Sequence, residues 1–326
     1  MKNFEEFCDE VKSNIVDMLK DRKIERVTIN TVPKNNGLIL NGLVIKEVDN
    51  NISPTIYLEP YYEKYKESGN MFEVMQQIAA TYENTAIDQQ EFKDITKDFF
   101  DFEKIKDRII VNMVNTKYNE ELLERSPHKE VLDLSLIYKV LLDEDERGTA
   151  TIRVEQSHLR NWGVTIDELS EIAVQNTYRL CPPKVSCMND IIKEILAQDG
   201  MPQEMVEEYV SSLPEERSMW VITNSSNCNG AFYMTDTKIM EELAEKFESD
   251  VVILPSSIHE VIAVSSELGP IENLKAMVSE VNDTQVAQEE QLSDNVYIYN
   301  AEAHKLQSEE EYEESRNANL AQTKGR

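Results

Sequence analysis

The sequence predicts an α+β protein in which helices pack on mainly antiparallel sheets. The first 60 residues contain an amphipathic helical pattern followed by short β-branched runs that flank a turn signal. In the second half, strand patterns and helical patterns alternate with few residues between them, which is typical of a compact α+β domain. The length of 326 residues accommodates two domains of about 100–150 residues each.

We predict an N-terminal α+β unit over residues 1–106. Residues 4–19 place apolar side chains at helical spacing, and Asn36-Gly37 between two apolar runs favours a hairpin. A charged helical segment follows to about residue 107, with two apolar stripes, the second of which includes Ile95 and Phe99. These charged helices end the predicted unit.

A C-terminal α+β domain is predicted over residues 107–284. Thr165 and Glu168 have the spacing of a capping box, and Asp236 precedes an amphipathic helix as an N-cap would. Around that helix, four apolar runs are predicted to be strands: 219–222, 231–234, 251–254 and 258–264.

Residues 285–326 are predicted to form a disordered acidic tail. They are rich in Gln, Glu, Asn and Ser, and residues 309–314 are five glutamates and one tyrosine. Low hydrophobicity combined with high charge disfavours a packed core. The short apolar run at 296–299 is the exception, since it could dock as an edge strand.

The charge balance argues against direct contact with nucleic acid backbones or anionic membranes. The chain has 33 Lys and Arg against 62 Asp and Glu, for a formal net charge of −29. Such a field repels phosphates and favours solubility, although it could also mimic DNA or attract basic partners. The N-terminus has no signal-like apolar core, no stretch approaches about 20 apolar residues, and the four cysteines are scattered. We therefore expect a cytoplasmic protein with free thiols and no membrane association.

Two polar turns, residues 224–230 and 256–260, carry the candidate catalytic residues. Cys228 and His259 are the one thiol–imidazole pair that neighbouring strand connections could bring together. A nucleophilic pair would need hydrogen-bond reach and a lowered thiol pKa. Ser256 and Ser257 are weaker candidates, since serines commonly satisfy the backbone groups of a turn.

The binding candidates are His158, Trp162, Asn224 and Glu260. Trp162, followed by Gly163, is more simply interpreted as a core anchor than as a ligand platform. The spacing of the other cysteines is not that of a zinc site, so no metal is predicted. The chain also lacks the glycine-rich phosphate-binding motifs, so no cofactor is predicted.

Several local strings resemble a known family. They are Pro127-His128, Ser157-His158-Leu159 with Trp162-Gly163, Asn176, the strand at 219–224 with Asn229-Gly230, and the string at 254–261 that contains Pro255 and His259. Together they resemble the DUF5688 family of uncharacterised bacterial proteins over about residues 1–300. The modules around 154–178 and 239–264 are more distantly similar to the DUF1444 family. The resemblance implies kinship of fold and no assigned activity.

Three functional hypotheses remain open from the sequence. The first is a non-enzymatic binding or regulatory protein with an unidentified protein partner, because no catalytic signature is present and the surface is acidic. The second is an enzyme of unassigned class, such as a hydrolase, built on the turns at 224–230 and 256–260. The third is an acidic protein that mimics DNA, which depends on charge alone.

Overall fold

The computed structural model describes residues 1–48, 53–85, 98–145, 148–212 and 219–324. Contacts divide the chain into two compact units, Met1–Lys104 and Ile105–Arg326. Every strand pair formed by the described residues is antiparallel, and helices pack on the sheets of both units, so the α+β class is confirmed. No helix within the described ranges combines the length and apolar character needed to span a lipid bilayer.

The first unit packs helices on a three-stranded sheet of order β1–β2–β3. The Asn3 side chain accepts the Glu6 backbone N–H and the Glu6 carboxylate accepts that of Asn3, so a capping box starts the first helix. The predicted hairpin is present: β1 pairs with β2 antiparallel, and Asn36 and Gly37 in the connecting turn both adopt positive φ. The elements are α1 Phe4–Met18, β1 Ile24–Pro33, β2 Ile39–Glu47, β3 Thr55–Tyr57, α2 Glu59–Ser68 and α3 Met71–Thr85, and the short helix α4 Phe102–Ile105 lies at the boundary with the second unit. Ile95 lies outside the described residues.

The apolar faces of these elements form the core of the first unit. Phe7, Val11 and Ile15 recur at helical spacing on α1 and are fully buried. They belong to one cluster with Leu43 of β2 and Ile78 of α3. The unit therefore has its own hydrophobic core.

The second unit contains a four-stranded and a six-stranded sheet. In the smaller sheet the long strand β6 pairs with β4 along one edge, and with β5 and then β7 along the other. The larger sheet has the order β13–β12–β10–β11–β9–β8. The strands are β4 Ile109–Asn115, β5 His128–Val131, β6 Leu134–Asp145, β7 Gly148–Arg153, β8 Pro183–Cys187, β9 Trp220–Asn224, β10 Val251–Leu254, β11 Val261–Ser265, β12 Tyr297–Asn300 and β13 Lys305–Ser308.

Local capping signals mark two helices of the second unit. Thr165 and Glu168 form the predicted capping box of one helix, and Asp236 accepts the backbone N–H groups of Lys238 and Ile239 at the start of another. The helices are α5 Glu120–Arg125, α6 Gln156–Trp162, α7 Ile166–Leu180, α8 Met188–Gln198, α9 Gln203–Ser211, α10 Thr237–Phe247, α11 Ile271–Thr284 and α12 Glu309–Lys324.

The structure corrects two predictions. Residues 231–234, predicted as a strand, lie in a buried 3₁₀ helix, Gly230–Thr235. Residues 285–324 are not a disordered tail, because β12 pairs with β10, β13 pairs with β12, and Tyr312 of α12 is buried in the core. Among the side chains of α12 that the structure describes, residues 309–318, only Tyr312 is buried, and the apolar run at 296–299 supplies the buried strand β12.

Candidate functional site

The turn after β9 places Cys228 in a fixed position. Asn224 organises this turn: its Oδ1 accepts the backbone N–H of Cys228 at 3.1 Å, and its Nδ2 donates to the Cys228 carbonyl at 2.7 Å. Asn227 and Asn229, on either side of Cys228, both adopt left-handed backbone conformations. Asparagine tolerates this region better than most residues, and such backbone conformations cluster at functional sites.

The turn between β10 and β11 presents His259. Its backbone N–H donates to Ser257 Oγ at 3.0 Å, and its carbonyl accepts from Thr223 Oγ1 and from Gly230 N, each at 2.8 Å. A side chain at Gly230 would put Cβ 2.6 Å from Thr223 Oγ1, so only glycine allows this close approach. The two polar turns are therefore joined directly through the backbone of His259.

The side chains of Cys228 and His259 are close enough to shift the pKa of each other, and Asn229 Nδ2 donates to Cys228 Sγ at 3.0 Å. The imidazole of His259 is the main cause that lowers the pKa of the Cys228 thiol, while burial acts in the opposite direction. The thiol of Cys228 is the main cause that raises the pKa of His259. A hydroxyl contact from Thr149 and the positive charge of Lys139 further favour the thiolate.

The ring of His259 has a defined environment at both nitrogens. Nδ1 accepts the backbone N–H of Asn229 at 3.1 Å, and Nε2 lies 3.4 Å from Glu290 Oε1. These contacts correspond to a neutral imidazole with its proton on Nε2 and its lone pair on Nδ1. The His259 side chain is 25% exposed and the Glu290 side chain is 46% exposed, so both are accessible to solvent.

Glu290 reaches His259 because the segment after α11 pairs with the His259 turn. The Ile258 N–H donates to the Glu290 carbonyl at 2.8 Å, and Ser257 forms an isolated bridge with Gln291. Glu290 lies at the end of a short 3₁₀ turn, Gln288–Glu290. Sequence reasoning missed this carboxylate because it assigned residues 285–326 to a disordered tail.

A polar wall formed by the smaller sheet adjoins the thiol. Asn112 of β4 is 2% exposed. When its amide is turned so that the oxygen and nitrogen exchange places, the oxygen accepts a hydrogen bond from Lys139 Nζ at 3.1 Å. Lys139 lies on β6 two residues from Ile137, the partner of Asn112, so both side chains occupy the same face. Asn112 interrupts a buried strand, a signal that sequence reasoning could have used.

The other serine and binding candidates have structural contacts. Ser257 Oγ is occupied by the backbone of its own turn, and Ser256 contributes its carbonyl to Leu292 N. His158 Nδ1 accepts the Glu155 N–H at the start of α6, and its ring packs on Trp162 with centroids 5.5 Å apart. Among the contacts of the described residues, none joins His158, Trp162 or Glu260 to Cys228.

Comparison with known proteins gives a family and no activity. A family model described as a family of unknown function (DUF5688) matches residues 4–301. The chain belongs to the DUF5688 family. No curated protein and no solved structure matches it. The match includes Cys228, His259 and Glu290, so all three members of the cluster lie in the DUF5688 region.

Within the described ranges, no three His, Cys, Asp or Glu side chains converge as metal ligands. The cluster combines one thiol, one imidazole, one carboxylate and one ammonium group. This set is suited to nucleophilic chemistry at sulfur.

Proposed function

We propose that this protein is an enzyme that uses Cys228 as a nucleophile and His259 as the base that activates it. The observation that carries the proposal is that the two turns are joined at the His259 backbone and bring the side chains close enough for the imidazole to lower the pKa of the thiol and for the thiol to raise that of the imidazole. A thiol of lowered pKa beside a base, with a third group that orients the base, is the arrangement of covalent catalysis in acyl transfer.

Each residue has a distinct role in the proposed reaction. In the proposed reaction His259 takes the thiol proton at Nδ1, which requires that the Asn229 N–H release this nitrogen. The Cys228 thiolate then attacks the carbonyl carbon of an ester, thioester or amide. As the carbon–sulfur bond forms and the bond to the leaving group breaks, His259 returns the proton to the leaving group. Water activated by His259 then hydrolyses the acyl-thioester and restores the thiol.

Glu290 and Lys139 are positioning residues in this scheme. Glu290 stabilises the imidazolium form through Nε2, as its contribution to the raised pKa of His259 indicates. Lys139 contributes positive charge near the sulfur and so favours the thiolate. Asn112 orients Lys139 from the neighbouring strand.

The test is acylation of the purified protein by an activated ester. With p-nitrophenyl acetate, we expect a burst of nitrophenolate and an acetyl group on the Cys228 peptide, identified by mass spectrometry. Cys228→Ser and His259→Gln should each abolish the burst. His158→Gln is the matched control, since glutamine at this position preserves the helix cap and lies outside the site.

The same experiment separates the enzyme from the alternative of a non-enzymatic binding protein. A protein that only binds a partner would show no burst and no acetyl group on Cys228. It would also show no difference between wild type and Cys228→Ser in nitrophenolate release. That result would overturn the proposed function.

A further inference from the structure

Asn229, the residue after the proposed nucleophile, places a side-chain amide against the sulfur. Its Nδ2 donates to Cys228 Sγ at 3.0 Å. An amide nitrogen carries two N–H groups, and one contact to sulfur uses only one of them. Both residues are partly buried, so the amide lies at the thiol rather than in bulk solvent. The scheme above assigns no role to this donor.

Acyl transfer to Cys228 requires a donor at a second atom of the substrate. When the sulfur bonds to the carbonyl carbon, the electron pair of the C=O double bond moves onto the oxygen and makes it an oxyanion. Preorganised donors at such an oxygen are usually the largest single contribution to the rate. The oxyanion is only one carbon away from Sγ, so a donor that contacts the sulfur can also reach it.

The backbone N–H groups of the same turn are already engaged. Cys228 N donates to Asn224 Oδ1 and Asn229 N donates to His259 Nδ1, both at 3.1 Å. Gly230 N donates to the His259 carbonyl at 2.8 Å. These three contacts shape the turn and join it to His259. Among the donors of the turn named here, the Asn229 side-chain amide is the one that can reach the substrate without breaking them.

The backbone conformation of Asn229 allows the amide to be removed cleanly. Asn229 is left-handed, with φ 57° and ψ 33°. Asparagine adopts this region more readily than most residues, and glycine adopts it freely. Asn229→Gly therefore deletes the amide while it keeps the backbone path and the N–H that donates to His259.

We propose, on the basis of the function proposed above, that the Asn229 side-chain amide donates to the oxyanion that forms when Cys228 is acylated. With p-nitrophenyl acetate, the sulfur bonds to the acetyl carbon and the C=O electron pair moves onto the oxygen, where Asn229 Nδ2 donates to it. When that pair returns, the bond from carbon to the nitrophenolate oxygen breaks and the acetyl group stays on the sulfur. Asn229 is thus a catalytic residue, because it contacts a reacting atom.

Two reactions of the same thiol, measured on the full-length protein, test this role. Acylation by p-nitrophenyl acetate passes through an oxyanion, whereas alkylation by iodoacetamide displaces iodide from a saturated carbon and forms none. Both reactions use the thiolate, so the ratio of the acylation rate constant to the alkylation rate constant corrects for a change in the thiolate population. Mass spectrometry of the Cys228 peptide assigns both products.

Asn229→Gly should lower this ratio about 10²-fold, the effect of removing one oxyanion donor. Asn229→Asp should lower it at least as much, because a carboxylate has no N–H to donate and repels the oxyanion. Asn227→Gly is the matched control, since it makes the same change at an exposed residue on the other side of Cys228, where φ is 51°. Its ratio should equal that of wild type.

The possible results separate this inference from the function on which it rests. Circular dichroism establishes that each variant is folded. An unchanged ratio in Asn229→Gly would overturn the role of the amide and leave the proposed function in place, since Cys228 would still be acylated. Equal losses in Asn229→Gly and Asn227→Gly would assign the effect to the backbone of the turn and also overturn the role of the amide. Absence of acylation in wild type would overturn the proposed function, and this inference with it.

Discussion

Cys228 and Cys8 are thiols whose surroundings act in opposite directions. The pKa of Cys228 is lowered by His259, whereas burial and nearby carboxylates raise the pKa of Cys8 to about 11. An acid whose pKa is lowered on folding stays deprotonated at lower pH than in the unfolded chain. Its contribution to stability is present above the ordinary thiol pKa and is lost as the pH falls through the lowered value.

Replacing His259 should therefore shift the pH dependence of thiol reactivity. In wild type, we expect iodoacetamide to alkylate Cys228 well below the pH at which Cys8 reacts. His259→Gln removes the main cause of the lowered pKa, so the Cys228 profile should move to higher pH, towards that of an ordinary thiol. Peptide mass spectrometry over a pH series measures both cysteines in one sample.

The Cys8 profile serves as the internal reference, and His158→Gln again provides the matched imidazole control. If His259→Gln leaves the Cys228 profile in place, the imidazole does not activate this thiol.

Gly230 allows the two polar turns to approach closely because it has no side chain. A methyl group would meet Thr223 Oγ1 at 2.6 Å and Asn224 N at 2.7 Å, and the backbone cannot yield without losing the bonds to His259. Gly230→Ala should cost about 1–3 kcal/mol and slow alkylation of Cys228. Gly269→Ala is the control, since a side chain there has open space. Equal melting temperatures and alkylation rates for the two variants would refute the steric argument.

At the scale of elements, the strands after α11 complete the larger sheet. Ile298 of β12 is fully buried and packs in the same cluster as Val252 and Val278. Ile298→Ala should lower the free energy of unfolding by about 2–5 kcal/mol, measured by urea denaturation. Ile195→Ala, at a 52% exposed position on α8, should change it little. If the strands after α11 were not part of the folded core, Ile298→Ala and Ile195→Ala would both change the free energy of unfolding only slightly.

The elements that the sequence predicts correctly are those determined by contacts between residues close together in the chain. The helix starts at Asn3, Thr165 and Asp236 follow from contacts within three residues, so local patterns contain them. The 3₁₀ helix that begins at Gly230 cannot be predicted from local patterns. Its apolar run matches the pattern of a strand, and packing against β4 and β9 determines its conformation instead.

The candidate site also depends on contacts between distant parts of the chain, and local patterns predict only some of its residues. Cys228 and His259 could be paired from the sequence since both follow predicted strands that could be neighbours. Glu290 could not, because its approach to His259 depends on backbone pairing with residues 256–258, and its own segment has a composition typical of disorder. Lys139 was likewise missed, because a lysine in a strand is ordinarily a solvent-facing residue.

At the scale of the whole molecule, the two units have separate cores. The apolar cluster of Met1–Lys104 includes only residues of that unit, and Cys228, His259 and Glu290 all belong to Ile105–Arg326. We expect residues 105–326, expressed alone, to fold cooperatively and to retain the Cys228 alkylation rate of the full chain. Differential scanning calorimetry and alkylation kinetics measure the two properties. Loss of the reactive thiol in a folded fragment would show that the first unit contributes to the site.

The pairing of residues 256–258 with residues 290–292 also determines when the site is assembled. During synthesis, Cys228 and His259 leave the ribosome before Glu290 and before the strands that close the larger sheet. A nascent or prematurely terminated chain thus carries the thiol without the carboxylate that orients its base. In such a chain His259 lacks one of the two groups that raise its pKa, so the environment of the imidazole is complete only after residues 290–292 have paired with the turn.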